Sequence, residues 1–184
     1  MAPTLEGRTQ DTASSPTLQG AETRSGNIQV VIFTLGEEQF AIDLFDVKEV
    51  VEYTTITKLP NVQSYIKGII DLRGEITTIV DLKQRLNITA TRTGTMETSR
   101  IIVLDETITA SKIGILVDDV TSVTTFEAER VDYTSASINK GDTGIIGIIK
   151  KNVKIKEKEC NELIIWIDIK QLLSDIDSAL LSDT

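Results

Sequence analysis

Val80-Asp81-Leu82-Lys83-Gln84-Arg85-Leu86 returns 87 positions later as Ile167-Asp168-Ile169-Lys170-Gln171-Leu172-Leu173. The aspartate keeps its place between branched apolar residues, and Lys-Gln follows in both copies. Working outward, Lys67-Gly68-Ile69-Ile70 matches Ile146-Gly147-Ile148-Ile149, and Asp46-Val47 with Val50-Val51 matches Asp119-Val120 with Val123. Further out, Val30 to Leu35 matches Arg100 to Leu104, and Phe40-Ala41-Ile42 matches Ile113-Gly114-Ile115. The offset grows from 73 (Val47 to Val120) through 79 (Gly68 to Gly147) to 87, as insertions in loops would produce. Chance self-alignment of Ile- and Val-rich sequence is the competing explanation. A duplicated plan accounts for the order of all the matches, and repeats of this kind determine a fold.

Each copy reads as a hairpin, a short helical or bulged turn, and another hairpin. Runs of Ile, Val and Thr suit a pleated surface because β-branched side chains are stiff at χ1. Short strands with frequent turn signals indicate an all-β chain with short helices, folded as barrels or a sandwich. Three segments read as helical. Leu44, Val47, Val50 and Val51 recur at helical spacing. Asn61 to Lys67 allows one turn ended by Gly68. Ile169, Leu172, Leu173, Ile176 and Leu180 form a longer apolar stripe with Asp168 as its N-cap. That stripe could face a partner, but a terminal helix docked on its own core is the simpler reading.

The chain has 184 residues, a net charge of −9, no histidine and a single cysteine, Cys160. That acidic balance argues against nucleic acid, whose binding needs a predominance of clustered Lys and Arg. Without histidine, Ser-His-Asp and Cys-His catalysis cannot be built within the chain, and one thiol makes neither an internal disulfide nor a thiolate metal cluster. Neither a cofactor nor a metal is called for. No apolar run reaches the ~18 residues of a membrane span, so direct membrane insertion is not expected. Residues 1–27 are polar and read as a disordered tail, with one domain over 28–181.

Three motifs invite chemistry. Asp142-Thr143-Gly144 carries the triplet of aspartic proteases, but that reaction needs two carboxylates sharing a proton, and the first copy has no second triplet. Asp118-Asp119 after an apolar run resembles an acidic metal pocket, and is read here as two solvated residues opening a turn. Lys150 to Lys158 holds five lysines, and its alternation with Val153 and Ile155 reads as an exposed edge hairpin protected by charge.

One arginine, Arg73, sits in a tight turn between apolar strands, Gly68-Ile69-Ile70-Asp71-Leu72-Arg73-Gly74-Glu75. Arginine is rarely placed near a core without a partner. Phe33-Thr34-Leu35-Gly36-Glu37-Glu38, Ile42-Asp43-Leu44 with Val47-Lys48-Glu49-Val50, Tyr65-Ile66-Lys67-Gly68, Leu72-Arg73-Gly74 and Ile79-Val80-Asp81-Leu82 together resemble the CheW family of chemotaxis coupling proteins. The resemblance runs from residue 28 to about 181. It implies two intertwined five-stranded SH3-like β-barrels sharing a hydrophobic core, plus a C-terminal helix. It also implies a non-catalytic, cytoplasmic adaptor, recruited to membrane-associated arrays and a monomer when free. Its partners would be the cytoplasmic tip of methyl-accepting chemoreceptors and the regulatory domain of the histidine kinase CheA. A generic SH3-like scaffold in another pathway is the alternative; a protease using Asp142 is the remote one.

Carried onto this chain, the family's receptor site falls on Leu44, Val47, Glu49, Val50 and Arg73. Arg73 pairs with Glu49 at a groove between the barrels. The kinase surface is less defined, with Thr55, Lys58 and Glu129 as candidates in exposed loops. One departure is Asp71, where the family usually has asparagine; its carboxylate could pair with Arg73 or repel an acidic receptor side chain. In the second copy Gly147 to Asn152 is read as the equivalent turn, and it has no arginine.

Overall fold

The computed structural model describes residues 26–89, 97–133 and 144–176. Asn27–Leu35 (β1) and Glu38–Asp43 (β2) form the first hairpin. A single 3-10 turn, Leu44–Asp46, leads into Val47–Glu52 (β3). Ile66–Leu72 (β4) and Glu75–Asp81 (β5) form the second hairpin, and Leu82–Arg85 (α1) follows directly.

The second half repeats this series. Arg100–Leu104 (β6) and Ile113–Val117 (β7) pair antiparallel, then come Asp119–Glu127 (β8), a 3-10 turn at Ala128–Arg130 and the two-residue Val131–Asp132 (β9). Ile145–Ile155 (β10) and Lys158–Ile167 (β11) make the last hairpin, and Ile169–Leu173 (α2) closes the series.

The strands sort into two sheets, ordered β8-β1-β2-β11-β10-β9 and β3-β6-β7-β5-β4. Replacing β1, β2, β8, β10 and β11 by β6, β7, β3, β4 and β5 converts the first order into the second. Each sheet therefore draws strands from both halves of the chain. The one parallel contact in each sheet is also shared. Ile79 lies opposite Gly114, and Trp166 lies opposite Ala41. A small residue faces a large one at both places, and at Gly114 a Cβ would come within 2.7 Å of the Ile101 side chain.

Both ladders return on themselves through a bent strand. β8 pairs with β1, and after the 3-10 turn β9 pairs with β10 at the far end of the sheet. In the other sheet β3 pairs with β6, and the chain beyond it bridges back from Thr57 to Ile69 of β4. The bulges match as well, at Ile66/Gly68 and at Ile145/Gly147. Gly68 holds φ at +143°, and a Cβ there would lie 2.1 Å from the Thr57 carbonyl oxygen, so close backbone approach requires glycine.

The last step of the drift, from 79 to 87, has a different cause from the one expected. The two-residue turn of the second hairpin is Arg73-Gly74, and that of the last is Lys156-Glu157, all four with positive φ. The last hairpin is longer by four residues on each arm, an extended ribbon rather than a loop insertion. Gly147 to Asn152 is thus strand, and the turn equivalent to Arg73-Gly74 is Lys156-Glu157.

The main core gathers Phe33, Leu35, Ile42, Leu82, Ile102, Ile115 and Ile167 with Ile169, Leu172, Leu173 and Ile176. Four positions of the C-terminal stripe are thus buried on the chain's own core, while Leu180 lies outside the described residues. Asp168 caps α2 by accepting from the Gln171 N–H at 3.1 Å, as Asp81 caps α1 from Gln84 at 3.3 Å. This shared cap explains why Asp-x-Lys-Gln is the most legible part of the repeat.

Three expectations are corrected. Val47 to Val51 is strand, not helix, because the span is too short to satisfy helical termini and its β-branched residues find a ladder in β6. Lys67 and Gly68 belong to β4, and the turn before them is a single tight one, closed by the Ile66 N–H donating to the Gln63 carbonyl at 2.9 Å, with no helix. Asp118 is buried, not solvated: it accepts from the Gly36 N–H at 2.7 Å and pairs with Lys83 at 2.6 Å, tying the first hairpin to α1. The tail over 1–25 and Asp142-Thr143 lie outside the described residues.

Candidate functional site

Arg73 stands at φ 56° as the first residue of the β4–β5 turn, followed by Gly74 at φ 83°. Two consecutive left-handed residues are the mirror-image turn that matches strand twist, for which Asn-Gly is the usual sequence. Asp71 holds this turn: its Oδ1 accepts from the Gly74 N–H at 2.7 Å. The carboxylate that departs from the family pattern is therefore spent on the backbone, and Arg73 pairs elsewhere.

It pairs with Glu49 through both guanidinium nitrogens, Nη1 to Oε1 at 3.1 Å and Nη2 to Oε2 at 2.8 Å. This is the fork geometry that suits arginine and not lysine. Glu49 is on β3 and Arg73 follows β4, the two ends of the five-stranded sheet. A direct contact between them requires the sheet to curl until its ends meet. The Arg73 side chain nevertheless remains 75% exposed.

The pair lies on the rim of a small cavity of about 70 Å³ whose floor is Leu72, Thr77, Val103 and Leu104. The rest of the rim alternates in charge. Lys112 pairs with both Glu75 and Glu106, and Lys48 pairs with Glu106 at 3.1 Å. Hydrogen bonding to Lys112 lowers the Glu75 pKa, bonding to Lys48 lowers that of Glu106, and Glu75 raises that of Lys112. All of these residues belong to one sheet or its loops. The site is one end of the second sheet, not a groove between two barrels.

Of the five residues assigned to a receptor, the structure joins Glu49 and Arg73. Leu44 and Val47 pack, partly buried, against the main core. Val50 is 41% exposed but, one position from Glu49 on a strand, projects from the opposite face. Sequence reading missed the neighbouring Phe45, at 78% exposure the most open large apolar side chain described. Its signal was available, since Asp43 caps the Phe45 N–H and turns the chain outward there. The kinase candidates Thr55 and Lys58 follow β3, whereas Glu129 lies in the turn after β8, so they belong to different sheets.

Also missed was a larger, apolar cleft of about 400 Å³, lined by Phe40, Ile165 and Ile167 of the first sheet, Leu172 of α2, and Leu86 and Ile88 after α1. Arg85 borders it, with Nε donating to the Leu172 carbonyl and its guanidinium 4.9 Å from the Tyr65 ring centroid. Among the described residues no group of three or more His, Cys, Asp or Glu could hold a metal, and no helix is long and apolar enough to cross a membrane.

The duplicated, strand-exchanged sheets with a charged rim at one end present a surface suited to contact with another protein. The CheW-like domain family matches residues 29–177. The chain belongs to that family, non-catalytic adaptors of chemotaxis. It is 30% identical over 152 residues to the chemotaxis protein CheW of Treponema pallidum, covering 79% of this chain and 82% of that one. It is 29% identical over 136 residues to the chemotaxis protein CheW of Bacillus subtilis, with 73% and 84% covered. The crystal structure of the scaffolding protein TtCheW from Thermoanaerobacter tengcongensis superposes with a TM-score of 0.67 at 32% identity, covering 85% of this chain and 99% of that one.

Proposed function

We propose that this chain couples the cytoplasmic tip of a methyl-accepting chemoreceptor to the histidine kinase CheA, working in the cytoplasm at receptor arrays, and that the Arg73–Glu49 end of the second sheet is its receptor face. The observation that carries the receptor assignment is an asymmetry. The framework is duplicated strand for strand, yet the turn equivalent to Arg73-Gly74 is Lys156-Glu157 at the tip of a lengthened hairpin. A pair required by the fold would be expected in both halves. An exposed bidentate pair in one half supports a recognition role.

Receptor tips are helical, and a helix docks by laying apolar side chains into a hollow while its polar flank meets a charged rim. The 70 Å³ hollow beside Arg73 has that construction. Phe45 supplies exposed apolar surface on the 3-10 turn that leads into β3, while Val50 is exposed on the other face of that strand. Leu44 and Val47 support the face from beneath. For the kinase, Thr55 and Lys58 remain candidates on the second sheet and Glu129 on the first.

The test of the coupling role is reconstitution of receptor, CheA and this chain in vesicles. The chain should raise receptor-dependent CheA autophosphorylation well above receptor and kinase alone. A generic scaffold of another pathway would leave the rate unchanged.

A further inference from the structure

β8 is an edge strand whose central run, Ser122 to Phe126, lacks the usual protection. It pairs with β1 on one side, and among the described residues no backbone hydrogen bond reaches its other side. After a bulge at Thr121 the pairing with β1 is continuous from Ser122 to Glu127. Ser122-Val123-Thr124-Thr125-Phe126 carries no charge, proline or glycine, and Val123 is 60% exposed. Native edges are normally blunted by such residues because unpaired N–H and C=O groups template another strand. The equivalent strand of the other half, β3, is blunted: it reads Val-Lys-Glu-Val-Val-Glu, with Lys48, Glu49 and Glu52 along it.

Charge marks the ends of the open edge. Asp119 precedes it, and Glu127 and Glu129 follow, against the single cation Arg130. Antiparallel pairing with a second copy centred on Val123 would set Asp119 against Glu127 at both ends, and like charges directly opposite are destabilising. The net charge of −9 on each copy adds to that repulsion.

We infer that the free edge of β8 binds an extended segment of another protein by strand addition, the segment having about five uncharged, β-branched-rich residues with Lys or Arg on both flanks. Main-chain hydrogen bonds supply the affinity and the carboxylates at the ends select the partner. This surface is on the first sheet and is independent of the Arg73 face.

The test uses the full chain and two acetylated, amidated peptides, Thr-Val-Thr-Val-Thr flanked by two lysines or by two glutamates on each side. Backbone amide exchange is followed residue by residue at millimolar peptide. The lysine peptide should slow exchange at alternate amides from Ser122 to Glu127 by tenfold or more, and the glutamate peptide should not. In the double variant Asp119→Lys, Glu127→Lys, both sites being exposed, the preference should invert. Three results would overturn the inference: no slowing with either peptide, equal slowing with both, or slowing that grows with protein concentration in the absence of peptide, which would identify a second copy as the occupant.

Discussion

Arg73 occupies a left-handed position that disfavours a side chain by roughly 1–2 kcal/mol relative to glycine, while an exposed ion pair returns roughly 0.2–1 kcal/mol. Stability alone therefore does not favour arginine here. Arg73→Asn gives the Asn-Gly sequence best suited to the turn and should leave the thermal midpoint equal or higher while receptor capture falls. A clear drop in the midpoint would make the pair structural. At Lys112 the expected effect is electrostatic. Its hydrogen bond holds the Glu75 pKa below 4.5, so the attraction is present above that pH and is lost as pH falls through the lowered value. In Lys112→Met, carbon-detected titration should show Glu75 moving back up toward 4.5. That Arg73 needs a partner was legible in the sequence, but Glu49 as that partner came only from the family resemblance, because an unpaired arginine does not choose among distant carboxylates. The fate of Asp71 was not legible, because one carboxylate two residues from an arginine and three from a turn amide has two partners within reach, and only backbone geometry chooses the amide.

The short elements are held by specific polar contacts. Lys83 and Asp118 are both largely buried, and removing one partner of such a pair strands the other charge, at a cost of about 3–5 kcal/mol. Lys83→Ala should accordingly lower stability by several kcal/mol in chemical denaturation, whereas Asp168→Ala, losing a cap, should cost about 1 kcal/mol. The last hairpin gives an opposite expectation. Deleting Asn152–Ile155 together with Lys158–Asn161, and keeping the Lys156-Glu157 turn, restores the arm length of β4–β5. Circular dichroism should show the same fold with cooperative melting, because those residues pair only with each other. Strands with caps and turns at their ends were readable from sequence. Val47 to Val51 misled because Val-x-x-Val-Val fits helix and strand equally over so short a span, and the decision belongs to β6, about fifty residues away.

At the scale of the molecule, exchange of strands between halves couples the two sheets into one folding unit. Each half alone leaves unpaired the edges that the other half covers, so a fragment ending at residue 98 should show no cooperative unfolding transition. The repeat made two similar sheets expected, but not which half supplies which strand, since pairing partners far apart in sequence leave no local signal. That arrangement gives the adaptor two faces of like construction and unlike chemistry. Arg73, Glu49 and their charged rim occupy the second sheet's end, while the first sheet carries the long hairpin and the open edge of β8. The most direct test of the receptor face is a charge-reversal cycle in which Glu49→Arg, Arg73→Glu and the double exchange are each measured for receptor capture in pull-down. Each single variant should stay folded and bind receptor several-fold less, and the double exchange should recover part of the loss. Normal receptor binding by both single variants would contradict the assignment.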